Sequence, residues 1–238
     1  MMVALHSRHE KPNFADVEWL IPVEEYKVSG LYKYCNTPNT KYFLKVLVEI
    51  GMSMVLLLCL TPLFVLISLI IKSTSKGAVF FKQERIGKDG KKFKIIKFRT
   101  MHMNADKVKH TLSHLNEAGG PVFKIREDPR ITKIGKILRK TGLDELPQLW
   151  NVVKRDMSLI GPRPPLESEV RQYDKWQLRR LTVMPGITCI WQIQPNRHNI
   201  SFDEWMNMDL DYIDNWSLEK DTKLFFKTIK TVFVGGGH

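Results

Sequence analysis

The sequence predicts a mixed α/β (α+β) chain held at a membrane by one apolar helix, and three observations carry that expectation. Residues 46–71 form a 26-residue run, VLVEIGMSMVLLLCLTPLFVLISLII, whose single ionisable side chain is Glu49. Two β-rich runs around a Lys88-Asp89-Gly90 turn follow it, and basic amphipathic helical patterns occupy much of the remaining chain. About 165 residues after the apolar run leave room for one domain of ordinary size.

At 1.5 Å per residue the apolar run would measure roughly 39 Å, enough to cross a bilayer core of about 30 Å. Two features oppose a simple span. Pro62 lies inside the run behind Thr61, and lysines flank both ends, Lys41 and Lys45 before it, Lys72 and Lys76 after it. A spanning helix carries its cationic bias on the cytoplasmic side. Proline removes a backbone hydrogen bond and crowds the preceding turn, although a neighbouring hydroxyl such as that of Thr61 can satisfy a freed carbonyl. A bend there leaves the limbs Val46–Leu60 and Leu63–Ile71 each too short to cross, so that both ends return to one face. On these residues alone a kinked span, a re-entrant hairpin and a buried core helix all stay open.

The net charge is +12, and residues 72–99 contribute ten Lys or Arg against Glu84 and Asp89. Such a block beside an apolar helix fits anionic headgroups first and a phosphorylated ligand second. Nucleic acid is disfavoured, because no zinc-finger spacing, basic zipper or aromatic RNA-binding motif is present. Cys35, Cys59 and Cys189 are far apart, which argues against both a disulfide framework and a zinc site and fits a reducing compartment. The apolar run begins late and has no small-residue cleavage pattern after it, so it is expected to be retained. Residues 1–40 are polar, lack a sustained period, and read as a weakly structured arm.

After the apolar run, AVFFKQERIG and KKFKIIKFRTM read as two strands of a hairpin. Lys97 and Arg99 share one face of the second strand, as a solvated edge or as a cationic face turned towards phosphate. The segment NADKVKHTLSHLNEAGG reads as a polar helix with surface histidines. In DPRITKIGKILRK, residues Ile131, Ile134, Ile137 and Leu138 fall on one side of a basic helix, suited to a core or to a membrane interface.

The densest chemistry lies in TGLDELPQLWNVVKRDMSLIGPRPP. Proline is tolerated in a first helical turn, so Pro147 places a helix start near Asp144. Asp144 and Glu145 then stand there either as capping and dipole-matching acids or as a pair sharing a metal or a phosphate. Being neighbours, they cannot flank a bond from opposite sides as glycosidase carboxylates do. The prolines around Arg163 fix its backbone, in a rigid connector or in a bidentate phosphate site. Residues 167–181 read as a charged helix, and 183–197 as a strand and a loop bearing Arg197. Near the C-terminus, Leu224, Phe225, Thr228, Ile229 and Val232 alternate with lysines in a basic amphipathic helix.

Taken together, the proline-broken helix, FFKQERIGKDGKKFKIIKFRTM, LRKTGLDELPQLWNVVKRDMSLIGPRP, PGIT followed by WQ, and DLDYIDNWSLEKD resemble the bacterial sugar transferases. These monotopic phosphoglycosyl transferases move a sugar 1-phosphate from a UDP-sugar to undecaprenyl phosphate. The resemblance covers residue 41 to about residue 230, in the family's order. It implies a re-entrant helix over 41–74 broken at Thr61 and Pro62, and a domain over 75–238 on the cytoplasmic face of the inner membrane. It implies Asp144 as nucleophile, with Glu145 completing a catalytic pair that also holds Mg²⁺. Lys97, Arg139, Arg163 and Arg197 fall on the family's basic positions, and Arg99 joins them by sharing the face of Lys97. The implied role is the first membrane step of exopolysaccharide, capsule, O-antigen or glycoprotein glycan assembly, with a homo-oligomer allowed for. Thr61 stands where Ser is common, Cys189 where Gly is usual, and Gln194-Pro195-Asn196 where smaller residues precede the arginine. The rival reading is a non-enzymatic membrane-anchored basic adaptor for anionic lipid or acidic partners.

Overall fold

The computed structural model describes residues 39–117, 119–195, 197 and 199–234. All but the last two residues of the expected N-terminal arm, together with Asn196, lie outside them. The apolar run becomes two helices, α1 (Asn39–Cys59) and α2 (Thr61–Thr74), joined at Leu60. Pro62 sits in the first turn of α2, where a missing N–H leaves no bond unmade. The Thr61 hydroxyl donates to the Leu57 carbonyl at 2.9 Å, so the break is satisfied from within the helix. The first limb is longer than the sequence pattern implied and reaches back through Lys45 to Asn39, where Tyr42 packs on the core and Lys45 is held by Asp221.

One face of α1 is docked. Lys45 is buried and donates to Glu49 at 2.8 Å and to Asp221 at 2.6 Å. Glu49 accepts from the Ser158 hydroxyl at 2.8 Å, while Tyr212 and Trp216 donate to Asp221 at 2.6 and 2.9 Å. Buried charges persist only when paired and hydrogen-bonded in this way. Further along, Met52, Leu56 and Leu60 pack on the main core around Leu149, Val152 and Ile213. The opposite face, including Leu47, Val55 and Leu58, is exposed. Helix α2 repeats the division: Ile67 and Ile71 are buried against Phe98 and Leu138, while Val65, Leu66 and Leu69 face outward. Lys45 near the start of α1 and Ile71 near the end of α2 are thus both buried in the same domain. Only α1, among the described residues, is long and apolar enough to cross a membrane.

Strands β1 (Phe80–Ile86) and β2 (Lys92–Phe98) form the expected antiparallel hairpin, with Phe81 opposite Lys97. Helix α3 (Lys133–Thr141) follows, then a 3₁₀ segment over Leu143–Gln148 and the short α4 (Leu149–Val153). Strand β3 (Ser158–Ile160) pairs in parallel with β4 (Gly186–Thr188), and the one-turn α5 (Glu167–Val170) lies between them. The described fold closes with α6 (Phe202–Asp214) and α7 (Leu218–Val234).

Several expected helices are shorter or absent. The segment expected to be a polar helix before Gly119 is a series of turns with 3₁₀ structure at His110–Leu115, and its Val108 and Leu115 are left exposed. Residues 167–181 are broken between α5 and a 3₁₀ segment at Gln177–Thr182. There Tyr173 is drawn into the core, and the Gln177 side chain caps the Asp174 amide at 2.8 Å. The apolar side expected for α3 is divided: Leu138 is buried and Ile134 partly so, but Ile137 is exposed. Helix α7 buries Leu224 and turns Phe226 and Ile229 outward among its lysines; the side chain of Val232 lies outside the described ones.

Candidate active site

The carboxylate pair is held by a turn whose chemistry is local. Thr132 caps α3 by accepting from the Gly135 amide at 2.9 Å, and Gly142 ends the helix in a left-handed conformation (φ 70°) that glycine adopts without strain. The Glu145 amide donates to the Gly142 carbonyl at 3.1 Å, which starts the 3₁₀ segment. Gly142 therefore occupies the capping position, and Asp144, read from sequence as a candidate N-cap, is released from that task. Buried Asn151 fixes this segment against the hairpin. Its side-chain oxygen accepts from the Ile96 amide at 3.1 Å, and its side-chain nitrogen donates to the Lys94 carbonyl at 2.9 Å. The free edge of β2 is thereby used, and Lys97 comes to lie over Glu145.

The Arg163 loop is held by a different device. Gly161 and Gly186 approach so closely that a Cβ on Gly186 would lie 2.1 Å from the Gly161 nitrogen. Prolines donate no hydrogen bond, so the loop is fastened through four successive carbonyls. Pro162 accepts from the Gly186 amide at 2.9 Å, and Pro165 from the Ile86 amide at 3.0 Å. Between them Arg163 accepts from Arg180 at 2.8 Å and Pro164 from Arg85 at 3.0 Å. Arg180 is itself fixed by Asp209 at 2.7 Å and by the Tyr173 hydroxyl at 2.8 Å, all deep in the interior.

Around the pair, Lys97 forms an ion pair with Glu145, and an Arg163 nitrogen lies 3.7 Å from the same oxygen. Arg139 is oriented by its Nε–H donating to the Thr100 hydroxyl at 2.9 Å, and its charge acts on Asp144. Arg197 donates to the Gln192 carbonyl at 3.2 Å and lies within electrostatic reach of Glu145 and Arg163. Arg99 is placed apart from this cluster, donating to the Ser75 carbonyl and hydroxyl at 2.9 and 2.8 Å. The structure thus gathers Lys97, Arg139, Arg163 and Arg197 about the two carboxylates and sets Arg99 at the end of α2. Arg180, Asp209 and Asn151 had no part in the sequence reading, and Arg85 entered it only among the cations that follow the apolar run. For Arg85 a signal existed, because Gln83 and Arg85 share a strand face and Gln83 accepts from the guanidinium at 2.7 Å.

The two acids differ sharply. Burial and the adjacent Glu145 charge raise the Asp144 carboxyl to about 6, against the pull of Lys97 and Arg139. Burial would raise Glu145 as well, but Lys97 and Arg163 outweigh it and hold that carboxyl far down. Glu145 is therefore a fixed anion locked to its cations, whereas Asp144 is an ionisable carboxylate with raised basicity and no ion-pair contact among the described residues. The pair supplies oxygen ligands only, and no group of three His, Cys, Asp or Glu suited to a metal occurs among the described residues. That set fits Mg²⁺, which keeps waters and binds one or two carboxylates together with substrate phosphates.

An acid pair ringed by cations is suited to a phosphorylated ligand, and one helix of the chain is long and apolar enough to cross a membrane. The bacterial sugar transferase family matches residues 40–235, and the chain belongs to that family. Galactosyl transferase CpsE of Streptococcus agalactiae is 46% identical over 161 residues, 68% of this chain and 36% of that protein. Exopolysaccharide production protein ExoY of Rhizobium meliloti is 41% identical over 187 residues, 77% of this chain and 82% of its own length. The undecaprenyl-phosphate galactose phosphotransferase of Salmonella typhimurium is 39% identical over 199 residues, 80% of this chain and 40% of that protein. The chain therefore spans most of one such relative and less than half of the other two.

Proposed function

We propose that this chain transfers a sugar 1-phosphate from a UDP-sugar to undecaprenyl phosphate, through a covalent intermediate on Asp144, at the cytoplasmic face of the inner membrane. The observation that carries the proposal is the unequal acid pair: Glu145 is neutralised by Lys97 and Arg163, and Asp144 is left as the reactive carboxylate. A basic adaptor that only binds anionic lipid has no use for a buried carboxylate with raised basicity. The names of the Salmonella typhimurium and Aeromonas hydrophila relatives, both undecaprenyl-phosphate sugar phosphotransferases, support the same reaction.

In the first half-reaction an Asp144 oxygen bonds to the phosphorus that carries the sugar, and the bond from that phosphorus to the bridging oxygen breaks. UMP leaves with the bridging oxygen. In the second half an oxygen of undecaprenyl phosphate bonds to the same phosphorus, the Asp144–phosphorus bond breaks, and undecaprenyl-diphosphate-sugar is released. Arg163 and Arg197 hold the donor phosphates, and Lys97 and Arg139 offset the charge that otherwise repels one anion from another. Asp144 and Glu145 would hold Mg²⁺, which would supply neutralising charge to the donor phosphates. A covalent intermediate lets the soluble donor and the membrane-bound acceptor use one site in turn.

We read α1 and α2 as a re-entrant pair, supported by the burial of Lys45 near one end and Ile71 near the other in the same domain. A panel of UDP-sugars with undecaprenyl phosphate and Mg²⁺, read by UMP release, tests the function. Release with one donor, dependent on the acceptor for turnover, is expected; no release with any donor overturns it.

A further inference from the structure

Between β2 and α3 the chain folds on itself, with residues 116–117 lying along residues 122–126. The Lys124 backbone is fastened on both sides, its amide donating to the Asn116 side chain at 2.8 Å and its carbonyl accepting from the Glu117 amide at 2.8 Å. The Asn116 side-chain nitrogen donates to the Val122 carbonyl at 3.2 Å, and the Arg126 amide to the Glu117 carboxylate at 3.2 Å. The strap so formed is anchored at two places. Phe123 lies against the Lys109 ammonium and the Arg130 guanidinium, 5.1 and 5.3 Å from the ring centre, and Arg130 is locked to Asp128 just before α3. Gly120 rests on Phe202 at the start of α6, so closely that a Cβ there would stand 2.9 Å from the ring.

From Phe202 a line of aromatic contacts runs to Arg197. Phe202 meets Trp205 edge-on at 5.9 Å, and Trp205 meets Trp191 at 4.1 Å between ring centres. Next to Trp191, the Gln192 carbonyl holds the Arg197 guanidinium. The strap brings Lys124 within electrostatic reach of that guanidinium: burial and the Arg197 charge push its ammonium below the ordinary lysine range. The charges acting on Lys124 are those of Arg197, Glu117 and Arg126, whereas those acting on Arg197 include Glu145 and Arg163. The order from the acid pair outward is therefore Arg163, Arg197, Lys124. Cations brought together repel one another, and an anion between them turns that cost into attraction.

We propose that Lys124 is a further donor-binding residue, placed with Arg197 on the phosphate that leaves as UMP. The assignment rests on the UDP-sugar reading of the proposed function. Arg163 lies beside the phosphorus that Asp144 attacks, and the diphosphate extends outward from it through the bridging oxygen, which sets the second phosphate at Arg197 and Lys124. Charge grows on that phosphate as the bridging bond breaks, so a cation there also favours departure.

The test uses the full chain in nanodiscs, the donor found active in the panel, and UMP as probe. Lys124→Gln is expected to raise the donor KM and the UMP inhibition constant together by about tenfold, the order of one charge-assisted hydrogen bond, and to leave the acceptor KM unmoved. Calorimetry with UMP alone, which needs no turnover, is expected to show the same weakening. Lys124→Arg restores a cation and is expected to recover most of both constants. Lys107→Gln removes an exposed lysine outside the strap and is expected to change neither. Unmoved donor KM or UMP affinity in Lys124→Gln, an equal rise in the acceptor KM, or a Lys124→Arg protein as weak as Lys124→Gln overturns the assignment. UMP release by the unaltered chain is read separately. Its absence with every donor overturns the proposed function, and its presence with unmoved constants in Lys124→Gln overturns only the role of Lys124.

Discussion

Asp144 and Glu145 are adjacent in the chain, yet their protons are held on opposite terms because the cations are not shared equally between them. Lys97 and Arg163 both address Glu145, and Asp144 feels Lys97 and Arg139 only at a distance. Asp144→Asn is accordingly expected to lower turnover by roughly 10⁴-fold or more and to abolish the sugar-phosphate adduct, read by intact-protein mass spectrometry with donor alone. Glu145→Gln leaves Lys97 and Arg163 without their anion, so turnover falls severely while the nucleophile remains; near-normal turnover in Asp144→Asn sinks the assignment. A second acid gives a stability prediction. Asp128 is buried and accepts from the Arg130 side chain at 2.9 and 2.6 Å. Burial would raise its carboxyl, but the Arg130 hydrogen bonds outweigh burial and hold it below the ordinary range. A depressed carboxyl stabilises the fold above its unfolded pKa and loses that contribution as pH falls through its folded value. Thermal melts between pH 3 and pH 7 should therefore show Asp128→Asn less stable by about 3 kcal/mol at neutral pH and less sensitive to acid than the unaltered chain.

At the scale of elements, the Arg163 loop depends on residues that do not touch the carboxylates. Arg180 donates to the Arg163 carbonyl and is fixed in turn by Asp209, so removing the Asp209 charge leaves a buried guanidinium free to turn. Asp209→Asn is expected to raise the donor KM by about tenfold and to leave the acceptor KM unmoved, a split that general loss of stability does not produce. Equal changes in both would show that Asp209 serves the fold alone. The same network marks what the sequence hid. The hairpin was legible because Lys88-Asp89-Gly90 signals its turn locally, and the helix break because Pro62 cannot be ignored within an apolar run. Gly142 and Pro147 mark the turn carrying the acids by the same kind of local chemistry. Asn151 on the edge of β2, Arg85 on Pro164 and Arg180 on Asp209 join distant segments, and no spacing within one segment announces them. Residues 167–181 misled because charged side chains supply helix propensity, while the burial of Tyr173 decides the backbone.

For the whole molecule the question is how the helices sit in the bilayer. Helix α1 has 21 residues, nominally about 31 Å, so length alone permits a crossing. Its first turns, however, are committed to the domain: Lys45 is locked between Glu49 and Asp221, and Glu49 accepts from Ser158. A crossing in either direction would place that buried set on the side opposite Ile71, which is itself buried against Phe98 in the same domain. Removing one partner from a buried ion pair costs about 3–5 kcal/mol, more than a modest charge bias supplies. Lys41 in the first turn of α1, Lys72 in the last turn of α2 and Lys76 just beyond it also favour the cytoplasmic face together. With Cys35, Cys59 and Cys189 replaced, Thr40→Cys and Lys76→Cys lie at exposed positions outside the two ends of the apolar run. Both are expected to react with an impermeant thiol reagent from the cytoplasmic side, in inside-out vesicles, and neither in intact spheroplasts. Reaction of position 40 only in spheroplasts would make the chain bitopic and end the re-entrant reading. Thr61→Leu with Pro62→Leu should straighten the joint and set the two dockings against each other. The expected outcome is lost activity with both ends still cytoplasmic, because the Lys45 set holds α1 in place; adding Asp221→Leu, which removes that hold, should then expose position 40 to the periplasm.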